Sequence, residues 1–179
     1  MSVFPLALEP ILILTNEDNP VRNISSQQAR YMFSGKINNW QEVGGKDQNL
    51  VVVTRLHCKK RPGHWKTILP DAKAFRQERL NVKSAADMVN RVSDFPSAIG
   101  HTGSAWAFDP ESKVKALSID NHAPTAANLE KGPSPLHPQL SAVTSKQASP
   151  ELVELMSYAQ ELLAKNPIAK QYQLLPLAK

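Results

Sequence analysis

A cluster of basic side chains occupies one short stretch of the sequence, residues 55–66 (RLHCKKRPGHWK), and no acidic residue interrupts it. Its cations include Arg55, Lys59, Lys60 and Arg61. Arginine pairs with oxyanions through charge-assisted hydrogen bonds, and lysine adds a compact positive charge. The cluster therefore predicts an oxyanion site, or a basic surface for an acidic partner whose affinity falls as salt screens it.

The same cluster allows other interpretations. Runs of lysine and arginine are often a solvated face with no ligand. Cys58 lies beside His57 and near His64, and a thiolate favoured by nearby cations could act as a nucleophile. These three residues could also join His101 in a metal site, although their spacing matches no common zinc pattern. We keep anion binding and the solvated face as the main alternatives.

Nucleic-acid binding and catalysis have less support in the sequence. The basic charge suits a polyanion, but the large aromatics are expected to pack in the core rather than to form a stacking platform. The acidic residues lie in turns, where a carboxylate usually caps the backbone, so no acid and base pair can be nominated. We therefore expect no enzyme, no cofactor and no nucleic-acid partner. The aromatics are Trp40, Trp65, Phe75 and Trp106, and the acids are Asp18, Asp94, Asp109 and Asp120.

The composition is that of an ordinary folded protein. The chain has 179 residues, a net charge of +5 and 41% hydrophobic residues, which suits a single domain with its own core. No apolar run approaches the roughly 18 residues of a membrane-spanning helix. The first ten residues lack the basic and long apolar regions of a secretory signal. Cys58 is the one cysteine, so no disulfide can form within the chain.

Two strands and a helix are expected to place the basic cluster. Pro10–Thr15 is a short apolar run that ends in turn residues, which predicts a buried strand. Ser25 and Gln28 have the spacing of a capping box, and Gly35 follows as a helix stop. Leu50–Thr54 is continuously apolar or β-branched, as in a parallel strand covered on both faces. The cluster therefore begins where a buried strand ends.

The rest of the chain continues the alternation of strands and helices. Pro62 suits the first turn of a helix, and Ser84 with Asp87 forms a second capping box. Short strands are expected at 98–100 and 113–119, and Ser149 opens a helix with an apolar stripe. This order predicts an α/β fold with a largely parallel sheet flanked by helices.

The segment NPVRNISSQQARYMFSGKINNWQEVGG (19–45), followed by VVVTR (51–55), resembles the phosphate-binding proteins of bacterial ABC uptake systems. A later segment, SIDNHAPTAANLEKGPSPL (118–136), resembles the same family. The resemblance implies a type II periplasmic-binding-protein-like fold in one domain, 1–179. Residues 10–112 would form the second lobe, and 113–179 a return strand, a crossover and C-terminal helices. MSVFPLALEP supplies neither the opening strand nor the glycine-rich loop of the first lobe, which is therefore expected to be incomplete.

The resemblance also implies a site. The family's loop reads R-x-x-G-S-G-T, and Arg55 matches its arginine, whereas Cys58, Lys59, Lys60 and Arg61 replace G, S, G and T. The ligand-binding residues would be Arg55, Lys59, Lys60 and Arg61, holding an oxyanion such as phosphate. An ABC permease or other protein partner and a periplasmic or extracytoplasmic location are implied as well. The alternative is a degenerate scaffold that acts as an interaction or sensory module through its basic loop.

Overall fold

The structure is a computed structural model that describes residues 1–56, 65–104, 111–124, 136, 138–145, 148–165, 167, 169, 174 and 177. Its strands are β1 (Ser2–Leu8), β2 (Ile11–Asn16), β3 (Asn23–Ile24), β4 (Val51–Thr54), β5 (Leu80–Asn81), β6 (Ala98–Gly103), β7 (Val114–Ala116), β8 (Ser118–Ile119) and β9 (Gln139–Thr144). The α-helices within the described residues are α1 (Ser26–Ser34), α2 (Trp65–Ile68), α3 (Ala85–Asp94) and α4 (Pro150–Lys165). Short 3-10 helices span Trp40–Val43 and Ala72–Ala74.

The central sheet has the strand order β5-β4-β6-β2-β7. β4 runs parallel to both β5 and β6, whereas β2 is antiparallel to β6 and to β7. The predicted α/β class is confirmed, and the sheet is mixed rather than largely parallel. The reason lies at Pro10, whose carbonyl accepts from the Ser104 amide at 2.8 Å. Because the chain enters β2 at the edge where β6 ends, β2 has to run against β6.

Helix α1 begins and ends at the residues that the sequence predicts. Ser25 Oγ accepts from the Gln28 amide at 3.0 Å, and Gln28 Oε1 accepts from the Ser25 amide at 2.7 Å. Gly35 ends the helix with φ of 82°, a left-handed conformation that glycine adopts without strain. Met32 and Phe33 are buried, so one face of α1 covers the sheet.

Two hydrophobic cores lie on opposite faces of the central sheet. In β4, Val52 belongs to the core that contains α1, and the next residue, Val53, belongs to the core that contains α3. This alternation follows from the two-residue period of a strand. On the α3 side, Met88 and Val92 are fully buried against the sheet. The sheet is therefore sandwiched between helices, as the apolar run at Leu50–Thr54 predicts.

A second, two-stranded sheet pairs the N-terminal strand β1 with β9, and it corrects the expectation that MSVFPLALEP supplies no strand. β1 pairs with β9 in the antiparallel sense, with Ser2 opposite Thr144. Proline normally argues against a strand because it lacks an N–H donor. Here the register shifts between Pro5 and Ala7, and a bulge or an edge tolerates the missing donor. α4 packs beside β1, and Gln160 Nε2 donates to the Pro5 carbonyl.

The other predicted elements have mixed outcomes. The expected strand 98–100 is confirmed as the start of β6, and the expected helices at Ser84 and Ser149 are confirmed as α3 and α4. The expected strand 113–119 is divided: β7 joins the central sheet, whereas β8 pairs with β3. The helix start predicted at Pro62 lies outside the described residues.

Candidate anion-binding site

The predicted site begins at the end of the central sheet where β4 and β6 finish. β4 and β6 are parallel, so Arg55, which follows β4, and Ser104, which follows β6, lie at the same edge. Ligands of α/β sheets bind beyond the carboxyl ends of the parallel strands. Arg55 is therefore placed where such a sheet binds its ligand.

The Arg55 side chain is half-buried and held by a single described contact that fixes its direction. Its Nε donates to the Lys83 carbonyl at 3.1 Å. A guanidinium carries four further N–H donors on its two Nη atoms. Because Nε is already hydrogen-bonded to the Lys83 carbonyl, the side chain loses little additional conformational entropy when the Nη groups bind an anion.

Asn81 fixes the backbone at the beginning of the loop. Its Oδ1 accepts from the Leu56 amide at 3.0 Å, and Thr54 Oγ1 lies 3.4 Å from the same oxygen. The Val82 amide donates to the Thr54 carbonyl at 2.9 Å, which continues the pairing beyond β5. Sequence reasoning did not identify Asn81. In the sequence, Asn81 is marked only as a polar residue in the short segment before the α3 capping box.

The N-terminus of α3 lies beside Arg55, but its own side chains already cap it. The Asp87 amide donates to Ser84 Oγ at 3.0 Å, and the Ser84 amide donates to Asp87 Oδ2 at 3.1 Å. The hydrogen bond with the Ser84 side chain lowers the pKa of the Asp87 carboxyl, with smaller contributions from the Ser84 and Lys83 amides and the Arg91 charge. A carboxylate therefore occupies the position at α3 that an external anion would need.

Two backbone hydrogen bonds link the segment that runs from β1 into β2 to the segment before β9, at this same end of the central sheet. The Glu9 amide donates to the Pro138 carbonyl at 3.0 Å, and the Ile11 amide donates to the Leu136 carbonyl at 2.7 Å. The side chains of Glu9 and Ser104 are buried here. The candidate site thus lies next to the junction between the two sheets, and sequence reasoning identified neither of these buried polar residues.

The structure describes only part of the predicted residue set. Arg55 is placed as above, whereas Lys59, Lys60 and Arg61 lie outside the described residues, as do His57, Cys58 and His64. Their convergence on an anion stays a prediction. His101 is buried and packs edge-on against Phe33, with ring centroids 5.8 Å apart.

Of the aromatics named in the sequence analysis, the three that the structure describes, Trp40, Trp65 and Phe75, are packed in the core as expected. Trp40 is fully buried, and its Nε1 donates to the Ser97 carbonyl at 2.8 Å. Trp65 packs edge-on against Phe75, with ring centroids 6.0 Å apart. Trp106 lies outside the described residues. No described helix combines the length and the apolar character needed to cross a bilayer.

Curated relatives share sequence with a large part of the chain. The phosphate-binding protein PstS of Bacillus subtilis (strain 168) is 32% identical over 143 residues, which are 80% of this chain and 47% of that protein. PstS of Borreliella burgdorferi is 24% identical over 149 residues, which are 79% of this chain and 53% of that protein. The chain therefore spans about half the length of the curated relatives that it matches.

Solved structures show the same fold. A protein of Clostridium perfringens, described as a phosphate ABC transporter substrate-binding protein with bound phosphate, superposes with a TM-score of 0.80 at 20% identity, over 99% of this chain and 72% of that chain. An ABC-type phosphate transport receptor of Vibrio cholerae gives a TM-score of 0.79 at 23% identity, over 97% and 72%. At these identities the likeness establishes the fold.

The family follows from the length of the sequence match. The profile of the PBP superfamily domain matches residues 1–166, which include the central sheet, the small sheet and α4. The family resemblance of 19–45 and 118–136 is thereby confirmed. The chain belongs to the PBP superfamily.

Proposed function

We propose that this chain is a non-catalytic solute-binding domain that binds an oxyanion, with phosphate as the first candidate. The observation that carries the proposal is the position of Arg55 at the carboxyl end of β4, with Nε held by the Lys83 carbonyl at 3.1 Å. The names of the relatives support phosphate, because both PstS proteins are phosphate-binding proteins.

In the proposed mechanism, Arg55 supplies the directional contact. Its Nη donors form charge-assisted hydrogen bonds with two oxygens of the anion, and no bond is made or broken. Lys59, Lys60 and Arg61 add positive charge where the family loop has smaller residues. Long cationic side chains reach an anion from a greater distance than a glycine-rich backbone does, so the site suits an exposed anion better than a fully dehydrated one.

The biological setting is part of the proposal. The similarity to ABC transporter binding proteins supports a periplasmic or extracytoplasmic location and delivery of the anion to a permease. A binding protein in that role needs reversible capture, which fits hydrogen bonds and charge pairs rather than covalent chemistry. Both the location and the permease are inferred from the relatives.

Isothermal titration calorimetry with inorganic phosphate tests the proposal on phosphate-free protein at low and moderate salt. We expect saturable one-to-one binding, and Arg55→Gln should weaken it by about 10-fold or more, because a hydrogen bond to a charged group contributes about 1.5–3 kcal/mol. Arg91→Gln is the matched control, since Arg91 lies on the exposed side of α3 with its side chain 55% accessible. Equal binding by wild type and Arg55→Gln would exclude the site.

A further inference from the structure

A second concave site lies along the open edge of β4, at the end of the strand away from Arg55. β5 pairs with Val53 and Thr54, and no strand of the described residues lies beside the first half of β4 on that side. A groove of about 490 Å³ follows this open edge, and Arg76 and Arg79 line its outer wall. Its size is within the range of pockets that hold small molecules.

The two arginines are short of hydrogen-bond acceptors. Within the part of the chain that the structure describes, Arg76 Nε, Arg76 Nη1 and Arg79 Nε are buried without a partner. Arg76 Nη2 lies 3.4 Å from Glu78 Oε2, and the Glu78 side chain is 90% exposed whereas that of Arg76 is 13% exposed. Arg79 Nη1 donates to the Arg76 carbonyl. A solvent-exposed carboxylate thus pairs with Arg76, Arg79 pairs with no carboxylate among the described residues, and an anion in the groove would stabilise both cations.

The backbone contact of Arg76 does not explain why Arg79 also lines the groove. The Arg76 amide donates to the Phe33 carbonyl at 2.9 Å, in the last turn of α1. This contact fixes the backbone at Arg76 without any ligand. The guanidinium of Arg79 is held by the Arg76 carbonyl instead, and it adds a second positive charge to the same groove.

The inner wall of the groove combines apolar side chains with a backbone donor. Leu50, Val51 and Leu80 contribute apolar surface, and Leu80 is 38% exposed. The Val51 amide donates to the Ser97 carbonyl on the β6 side at 3.1 Å. Because successive amides of a strand point in opposite directions, the Val52 N–H is directed toward the groove. An oxyanion group at the arginines and an apolar body along β4 would complement these walls.

We propose that this groove is a second anion site, which binds a small organic anion through Arg76 and Arg79. The ligand carries a carboxylate or phosphate-type group and an apolar body of a few carbons. The site is separate from the one proposed at Arg55, because β4 runs between them: Val51 lies at its beginning and Arg55 follows its end.

NMR titration of the ¹⁵N-labelled full chain with sodium butyrate and with n-butylphosphonate, at constant ionic strength, tests the proposal. We expect saturable shifts at the amides of residues 50–52 and 76–80, and butanol should leave them unchanged. Saturation by either anion supports the site and identifies its headgroup. Arg79→Gln should weaken binding by about 10-fold or more. Arg55→Gln and Arg91→Gln should change the affinity by less than about twofold.

Glu78→Gln provides a test with the opposite sign in a variant that is expected to fold, because this side chain is 90% exposed. Removal of the competing carboxylate should tighten binding by about 1.5–5-fold, the range of an exposed ion pair. Absence of saturation with both anions, equal shifts with butanol, or affinities unchanged by both Arg79→Gln and Glu78→Gln would overturn the proposal. If Arg55→Gln abolishes binding and Arg79→Gln does not, the amide chemical-shift changes come from binding at the Arg55 site.

Discussion

Replacement of Asn81 by alanine tests whether this side chain holds the beginning of the anion loop. Asn81 Oδ1 accepts from the Leu56 amide at 3.0 Å, and Leu56 is buried. The hydrogen bond is partly buried and Asn81 is exposed, so its loss should cost about 0.5–1.5 kcal/mol, the net contribution of an ordinary hydrogen bond. For a domain of this size each kcal/mol corresponds to about 2–4 °C, so we expect the melting temperature to fall by about 1–6 °C. Phosphate affinity should fall as well, because Arg55 directly precedes Leu56.

Asn81→Asp separates the two effects. Aspartate keeps an oxygen that can accept from the Leu56 amide, so thermal stability should stay close to that of the wild type. The added negative charge near Arg55 should nevertheless weaken phosphate binding. Differential scanning calorimetry and phosphate titration measure the two properties on the same samples, with Gln77→Ala as an exposed amide control. If Asn81→Ala changes neither the melting temperature nor the affinity, the loop does not depend on Asn81 and the reasoning is refuted.

Two further predictions concern α3. Gly100→Ala should destabilise the fold by about 1–3 kcal/mol in urea unfolding, because an added Cβ would lie 2.5 Å from Met88 Sδ and 2.8 Å from Val92 Cγ2. The loss of stability should be smaller when Val92 is also replaced by alanine. Strictly additive effects of the two substitutions on the unfolding free energy would contradict this contact. The pKa of the Asp87 carboxyl is lowered in the folded state, so its ionised form should stabilise the fold at pH values above 3.8, the ordinary pKa. This stabilisation should be lost as the pH falls through the folded-state pKa. Unfolding free energies of wild type and Asp87→Asn should therefore converge at acidic pH, and a constant gap would count against it.

The elements that the sequence predicts best are those whose signals are local. The capping box at Ser25, the stop at Gly35 and the apolar run at Leu50–Thr54 each depend on neighbours in the chain, and each is found in the structure. The direction of β2 is different, because it depends on where the chain enters the sheet. That information lies in the contact between Pro10 and Ser104, which are far apart in sequence.

β1 and the details of the site escaped the sequence analysis for a similar reason. Pro5 argues against a strand until β9 is known to lie beside it with a bulge at that position. Arg55 could be nominated from its cluster and from the family loop. The roles of Asn81 and of the Lys83 carbonyl could not, because both depend on the short strand β5 lying beside β4.

The pairing of β1 with β9 has a consequence for the order in which the molecule assembles. Ser2 pairs with Thr144, 142 positions later, whereas the pairs of the central sheet are closer in sequence, from 27 positions between Val53 and Leu80 to 102 between Leu14 and Ala116. The entropy lost on closing a loop grows with its length, and an isolated two-stranded ribbon is only marginally stable. We therefore expect the central sheet to form first and the β1–β9 ribbon to close last. In the native state, the ribbon amides should exchange with solvent through local opening while the central sheet stays intact.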